Sequence, residues 1–206
     1  MQTDISKLFE FAESCVCDAS HDSGHIRRVL KNALGIARNY PEADVRLLTA
    51  ACILHDCGRR EQLETGIPHS RAGAEKARAF LLENGCGAAF ADGVYACIDA
   101  HSSPDLARAA GIEARILYDA DKLEMTGAVG VSRALIYALD ENEPLYAKDG
   151  ESFWAQILTD MRFAEDTLLT PEARSTALTR TNLMCAFAES LKNECEGSCE
   201  KGEDDV

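Results

Sequence analysis

Four of the five histidines stand in an ordered series that ends in paired carboxylates: His25, His55-Asp56, His69 and His101, then Asp119-Ala120-Asp121. Imidazole and carboxylate together are a ligand set for transition metals. Histidine is too scarce here for the series to read as scattered surface positions. A divalent ion with such ligands and open positions lowers the pKa of bound water and polarises a phosphoryl oxygen. Two ions about 3.5–4 Å apart would clamp both the attacking and the leaving oxygens. Cations stand beside the same residues. Arg28 is one helical turn after His25, Arg59 and Arg60 follow His55-Asp56, and Lys122 is next to Asp121. Arginine's planar donor fork matches phosphate. Asp22 or Asp119 is placed to orient a ligand histidine or to take a proton from water.

Helices must position these groups. Apolar periodicity predicts them over about 4–17, 22–39, 42–56, 88–101, 151–166 and 171–192. Another runs from Ser70 as N-cap to Asn84-Gly85, and a long one over 112–139 is broken at Gly127 or Gly130. Thr170 and Pro171 open the last helix. Cys57 to Pro68, with two glycines, reads as a loop, as does 141–150. Leu48, Cys52 and His55 share one face at steps of four and three. Phe90, Val94, Cys97 or Ile98, and His101 share another, and Leu117 and Asp121 are four apart. Each histidine or aspartate so placed continues an inward apolar stripe. Buried imidazoles and carboxylates need partners, and one ion shared among several helices would supply all of them.

Length and composition bound the rest. With 206 residues, 46% hydrophobic and only 6% aromatic, the chain is expected to be a single-domain, all-α bundle over 1–193. The acidic stretch 194–206 is expected to be a disordered tail. A net charge of −14 argues against a nucleic-acid polymer as partner, since that needs a basic footprint. MQTDISKLFEF does not read as a signal peptide, and charges interrupt every apolar run, so a cytoplasmic protein without a membrane partner is expected. Nine cysteines without a CxxC pair fit neither a zinc ribbon nor a finger and read as incidental or core thiols. Phe153 and Trp154 read as packing residues, and Gly127-Ala128-Val129-Gly130 as a close helix contact.

The motifs resemble the HD-domain superfamily of metal-dependent phosphohydrolases, in its small bacterial branch. His21-Asp22-x-x-His25-x-x-Arg28-Val29 looks like the opening motif, and Leu54-His55-Asp56-Cys57-Gly58 like the second. Ile98-x-x-His101-Ser102 looks like the third. Asp119-Ala120-Asp121-Lys122-Leu123-Glu124, with the glycines at 127 and 130 and Arg133 behind it, looks like the fourth. A later Leu-Thr-x-x-Ala-Arg pattern at 169–174 also fits. The similarity covers about Asp18 to Glu194, with the core motifs in 18–133.

The resemblance implies a helical bundle around a central divalent ion, with His25, His55, Asp56 and Asp121 as its ligands. His69 and His101 match positions that complete a two-metal centre in other branches, with Asp56 bridging. One or two ions are therefore expected, drawn from Mn, Fe, Co, Ni, Zn or Mg. The reaction expected is hydrolysis of a phosphomonoester or phosphoanhydride of a small molecule, with a nucleotide first among substrates. Asp56, Arg59 and Lys122 are the expected catalytic residues; Arg28, Arg59, Arg60 and Lys122 are the expected substrate contacts. Two rival readings are an HD-type di-iron oxygenase and a non-catalytic HD-fold ligand sensor. A homodimer stays open, as does a capping role for 141–154.

Overall fold

The computed structural model describes residues 4–17 and 21–197. Among them are eleven α-helices and no strand. They are α1 (Ile5–Cys15), α2 (Ser23–Ala37), α3 (Val45–Leu54), α4 (Arg59–Thr65), α5 (His69–Glu83), α6 (Ala88–Ala100), α7 (Pro104–Ala110), α8 (Ile112–Lys122), α9 (Gly127–Asp140), α10 (Phe153–Thr167) and α11 (Pro171–Glu196). The all-α expectation holds. No described helix is long and apolar enough to cross a membrane.

Several boundaries depart from the sequence reading. The segment 57–68 is not a loop throughout, because it contains α4. Gly58 precedes that helix and Gly66, at φ +75°, ends it, so the two glycines punctuate a helix of good helix formers. Ser70 is not an N-cap: α5 starts one residue earlier, after Pro68, and Ser70 is buried, accepting a hydrogen bond from Ser102 Oγ at 3.1 Å. An unforeseen α7 starts at Pro104, with the Ser103 hydroxyl capping Leu106 N–H at 3.4 Å. The break in 112–139 falls at Leu123–Gly127, where a 3-10 turn precedes Gly127 at φ +70°. Helix α11 runs on to Glu196, so Glu194–Glu196 are helical rather than tail. Residues 198–206, the rest of the expected tail, and 18–20 lie outside the described residues.

The contacts gather into two compact units. The first comprises 1–124 and 167–175. Its centre is α3, where Leu48 and every residue from Ala50 to Leu54 are buried, because the helix packs against α1, α2, α6 and α8. Asp44 caps α3 by accepting from the N–H of Arg46 and Leu47 at 2.9 and 3.0 Å, and Asp22 caps α2 through His25 N–H at 2.7 Å. Between α3 and α4 the chain passes so close to α5 that a Cβ on Gly58 would lie 2.2 Å from Gly73 N and 2.4 Å from His69 O. That contact sets the start of α5 against the His55-Asp56 turn. The 167–175 segment is anchored by Asp119, whose carboxylate accepts from Leu169 N–H at 2.8 Å and from Thr170 N–H and hydroxyl at 2.6 Å each.

The second unit comprises 125–166 and 176–206. Its core is Ala134, Ala138, Phe153, Ile157, Met184 and Ala188 from α9, α10 and α11. Phe153 and Trp154 pack as expected. Phe153 is in that core, and the Trp154 indole N–H donates to Ala188 O at 2.9 Å. In the Gly127–Gly130 stretch the close approach at Gly130 is local rather than to another helix: a Cβ there would meet O of Met125, in the 3-10 turn just before α9, at 2.3 Å.

Candidate metal centre

Helix ends of the first unit build the site. His55 and His101 are the C-cap residues of α3 and α6, His69 opens α5, His25 lies in the first turn of α2, and Asp121 in the last turn of α8. His25, His55, Asp56, His101 and Asp121 are all buried, and the His69 side chain is 15% exposed.

Two triads share Asp56. In the first, His25 Nε2 and His55 Nε2 are 3.2 Å apart and lie 3.3 and 3.2 Å from Asp56 Oδ2. Asp121 Oδ1 stands 3.5 and 3.8 Å from the same two nitrogens. Around an ion with bonds of about 2.0–2.2 Å, ligand atoms stand roughly 3–3.6 Å apart, so this spacing suits one ion. In the second triad, His69 Nε2 and His101 Nε2 lie 3.8 and 3.9 Å from Asp56 Oδ1. Both groups have the composition and closeness to hold a metal ion.

The hydrogen bonding around the rings supports that use. His55 Nδ1 lies 2.9 Å from Cys52 O, His101 Nδ1 2.6 Å from Ile98 O, and His69 Nδ1 2.7 Å from Gln62 Oε1. Each acceptor calls for the proton on Nδ1 and leaves the Nε2 lone pair facing the site. His25 Nδ1 faces Glu124 Oε2 at 3.6 Å. Asp56 Oδ2 and His101 Nε2 are buried and without a hydrogen-bond partner among the described residues. Buried orphaned acceptors are costly, and a cation between them relieves several at once.

The electrostatics separate the two triads. Burial alone would lower His25, but Asp56, Glu124 and Asp121 outweigh it and hold the imidazole up to about 9. Burial, then the charge of Arg59, brings His69 down to about 4, and burial with His55 brings His101 down to about 3. Asp56 lies well below the usual carboxylate range, since His55, His25 and Arg59 overcome its burial. Asp121 does too, through Lys122, His55 and His25.

The expected cations fall into two sets. Arg59 Nε donates to Asp56 Oδ1 at 2.9 Å, and Lys122 Nζ to Asp121 Oδ2 at 2.8 Å. Burial would lower Lys122, but Asp121 raises it and keeps it charged. Arg28 instead pairs with Glu124 Oε2 at 2.6 Å, and Arg60 is exposed on α4. His21 sets its ring edge-on to that of His25 at 5.4 Å and lines a small cavity with Asp56 and Arg59. Asp119 does not orient a ligand histidine, because both its oxygens bind the 167–170 segment, and Asp22 holds the backbone rather than the ring of His25. Sequence reasoning missed Gln62 and Glu124 as ring partners. Glu124 sits in the fourth motif and was within reach; Gln62 follows only once α4 is seen.

A helical bundle with these histidines and aspartates gathered at its helix ends has the HD-superfamily hydrolase fold. The HD domain pattern matches residues 23–126, half of the chain, and the chain belongs to that family. A Bacillus subtilis protein called YpgQ, itself uncharacterised, is 29% identical over 194 residues, covering 91% of each chain. The crystal structure of YpgQ in complex with ADP superposes with a TM-score of 0.75 at 26% identity, over 92% of this chain and 94% of that one. A predicted HD-superfamily hydrolase from an uncultured Thermotogales bacterium gives a TM-score of 0.65 at 25% identity, over 92% of this chain and 91% of that one.

Proposed function

We propose that the chain is a metal-dependent phosphohydrolase that cleaves a phosphomonoester or phosphoanhydride of a small molecule, with a nucleotide as the first candidate. The observation that carries this reading is the buried first triad with its orphaned Asp56 oxygen, flanked by two cations on the same carboxylates. The ADP complex of YpgQ supports the nucleotide. His25, His55, Asp56 and Asp121 would hold a divalent ion such as Mn, Fe, Co, Ni, Zn or Mg. Bound there, the ion supplies a water of lowered pKa and a charge that polarises a phosphoryl oxygen.

The protein's own groups do the rest. Cys52 O and Glu124 Oε2 aim His55 and His25, so their Nε2 atoms need no rearrangement. Asp56 is ionised and serves both triads. Arg59, with a 25% exposed side chain, and Lys122, at 17%, can reach an entering phosphate and offset its charge. A guanidinium fork and an ammonium aimed at charge that grows in the transition state act there rather than on the free substrate.

A screen of nucleotides and phosphate esters with Mn²⁺, Co²⁺, Ni²⁺, Mg²⁺ and Fe²⁺, read as phosphate or pyrophosphate release, tests the proposal. Release with one or more metals is expected. Metal bound without release from any substrate would count against it. The second triad favours one alternative, a di-iron oxygenase, which anaerobic iron loading followed by dioxygen would reveal by iron oxidation.

A further inference from the structure

The second triad is an array of acceptors with one donor in it. Gln62 Oε1 and Ile98 O take up the Nδ1 protons of His69 and His101, so both Nε2 atoms present lone pairs toward Asp56 Oδ1. Among the described residues, Arg59 Nε at 2.9 Å is the one donor to that oxygen, and His101 Nε2, in a ring 1% exposed, stays without a hydrogen bond. The arrangement needs a cation and already has one. The guanidinium occupies the carboxylate oxygen that a second ion would have to share, and it brings a positive charge against that ion. The first triad uses the other oxygen, Oδ2, where no arginine intrudes.

We propose that Arg59 is the resident cation of the second triad, and that it competes with a second divalent ion for Asp56 Oδ1. The centre then takes one ion tightly and a second only when the guanidinium leaves the carboxylate. This rests on the metal-centre reading above and deepens it, because the residue expected to meet the substrate phosphate is the one that governs the ion count. Arginine fits the role better than lysine would on an open site. Its Nε–H reaches Oδ1 from the first position of α4, and the two terminal nitrogens of the fork remain for another anion.

The test is metal stoichiometry, not activity. Metal-free full-length protein is titrated with Mn²⁺, and bound ions are counted by equilibrium dialysis and by electron paramagnetic resonance. The native chain is expected to bind one Mn²⁺ tightly and the second far more weakly. Arg59→Gln is expected to bind the second at least about tenfold more tightly, the scale of one charge-assisted hydrogen bond removed. A spin-coupled pair signal should accompany it. Arg59→Lys, which keeps the charge, should stay closer to the native chain, and the first ion should change less than the second in both variants. Arg59→Met serves as an independent neutral replacement at this helix-start position. A second ion bound no more tightly in the neutral variants, or two ions bound equally tightly by the native chain, overturns the proposal. Failure of the hydrolase reading would show differently, as no phosphate release whatever the ion count.

Discussion

Metal uptake at the first triad should be coupled to one proton. In the metal-free protein His25 is fully buried, with Asp56 Oδ2 and Asp121 Oδ1 at 3.3 and 3.5 Å from Nε2 and Glu124 Oε2 at 3.6 Å from Nδ1. These carboxylates hold its pKa up to about 9 against the effect of burial. A metal ligand must be neutral, so an incoming ion has to displace that proton. At pH 7 only about one molecule in a hundred has the ring free, which lowers the apparent affinity about 100-fold relative to pH above 9. Between pH 6.5 and 8.5 the affinity should therefore climb about tenfold per unit. Chelator-buffered Mn²⁺ or Ni²⁺ titrations across that range read the slope. Calorimetry in buffers of different ionisation enthalpy should count about one proton released per ion at pH 7. Glu124→Gln removes one of the raising carboxylates and should flatten the slope at the alkaline end. An affinity independent of pH from 6.5 to 8.5, with no proton released, would refute the reasoning. The same shift has a stability consequence in the metal-free protein. A raised imidazole pKa contributes stability that is complete below 6.5 and lost as pH rises through about 9, here on the order of 3 kcal/mol.

Other substitutions test the frame. Gly58→Ala puts a methyl group against backbone atoms of α5 at 2.2 and 2.4 Å and should cost about 2–4 kcal/mol in urea unfolding. Asp119→Ala strips three hydrogen bonds from the 167–170 segment and should cost about 3 kcal/mol, read as faster hydrogen exchange at Leu169 and Thr170. Asp56→Asn removes the carboxylate common to both triads and should lower retained metal by at least about 100-fold in dialysis, because an amide is a poor ligand beside two buried imidazoles.

Much of the candidate centre was legible because several of its residues continue an apolar stripe. His55 after Leu48 and Cys52, and His101 after Val94 and Ile98, could face only inward once the helices were drawn. Asp121, four residues after Leu117, follows the same rule, and the order of the motifs supplied His25. The orienting partners were harder to see. Two of the four ring partners are backbone carbonyls three residues earlier, Cys52 O and Ile98 O, and a carbonyl carries no sequence signal. Gln62 was hidden because two glycines made 57–68 look like a loop. The intervening Arg-Arg-Glu-Gln-Leu-Glu-Thr is good helix sequence, and a glycine just past it is a stop signal. Helix α7 is hidden in the same way, since Ser103-Pro104 after α6 looks like a helix stop and also opens the next helix. The pairing of Arg59 with Asp56 could not be read from spacing. A cation three residues after a carboxylate points equally well to solvent, and only burial of Asp56 decides.

The most direct test of the central claim is hydrolysis in ¹⁸O-labelled water. Mn²⁺-loaded protein is incubated with nucleoside phosphates and simple phosphate esters, and the released phosphate, or both products where a phosphoanhydride is cleaved, are analysed for the label. The account predicts one labelled oxygen in the product, with turnover that requires the metal and is lost in Asp56→Asn. A protein that holds its ion on His25, His55, Asp56 and Asp121 while every phosphate substrate stays intact would contradict it.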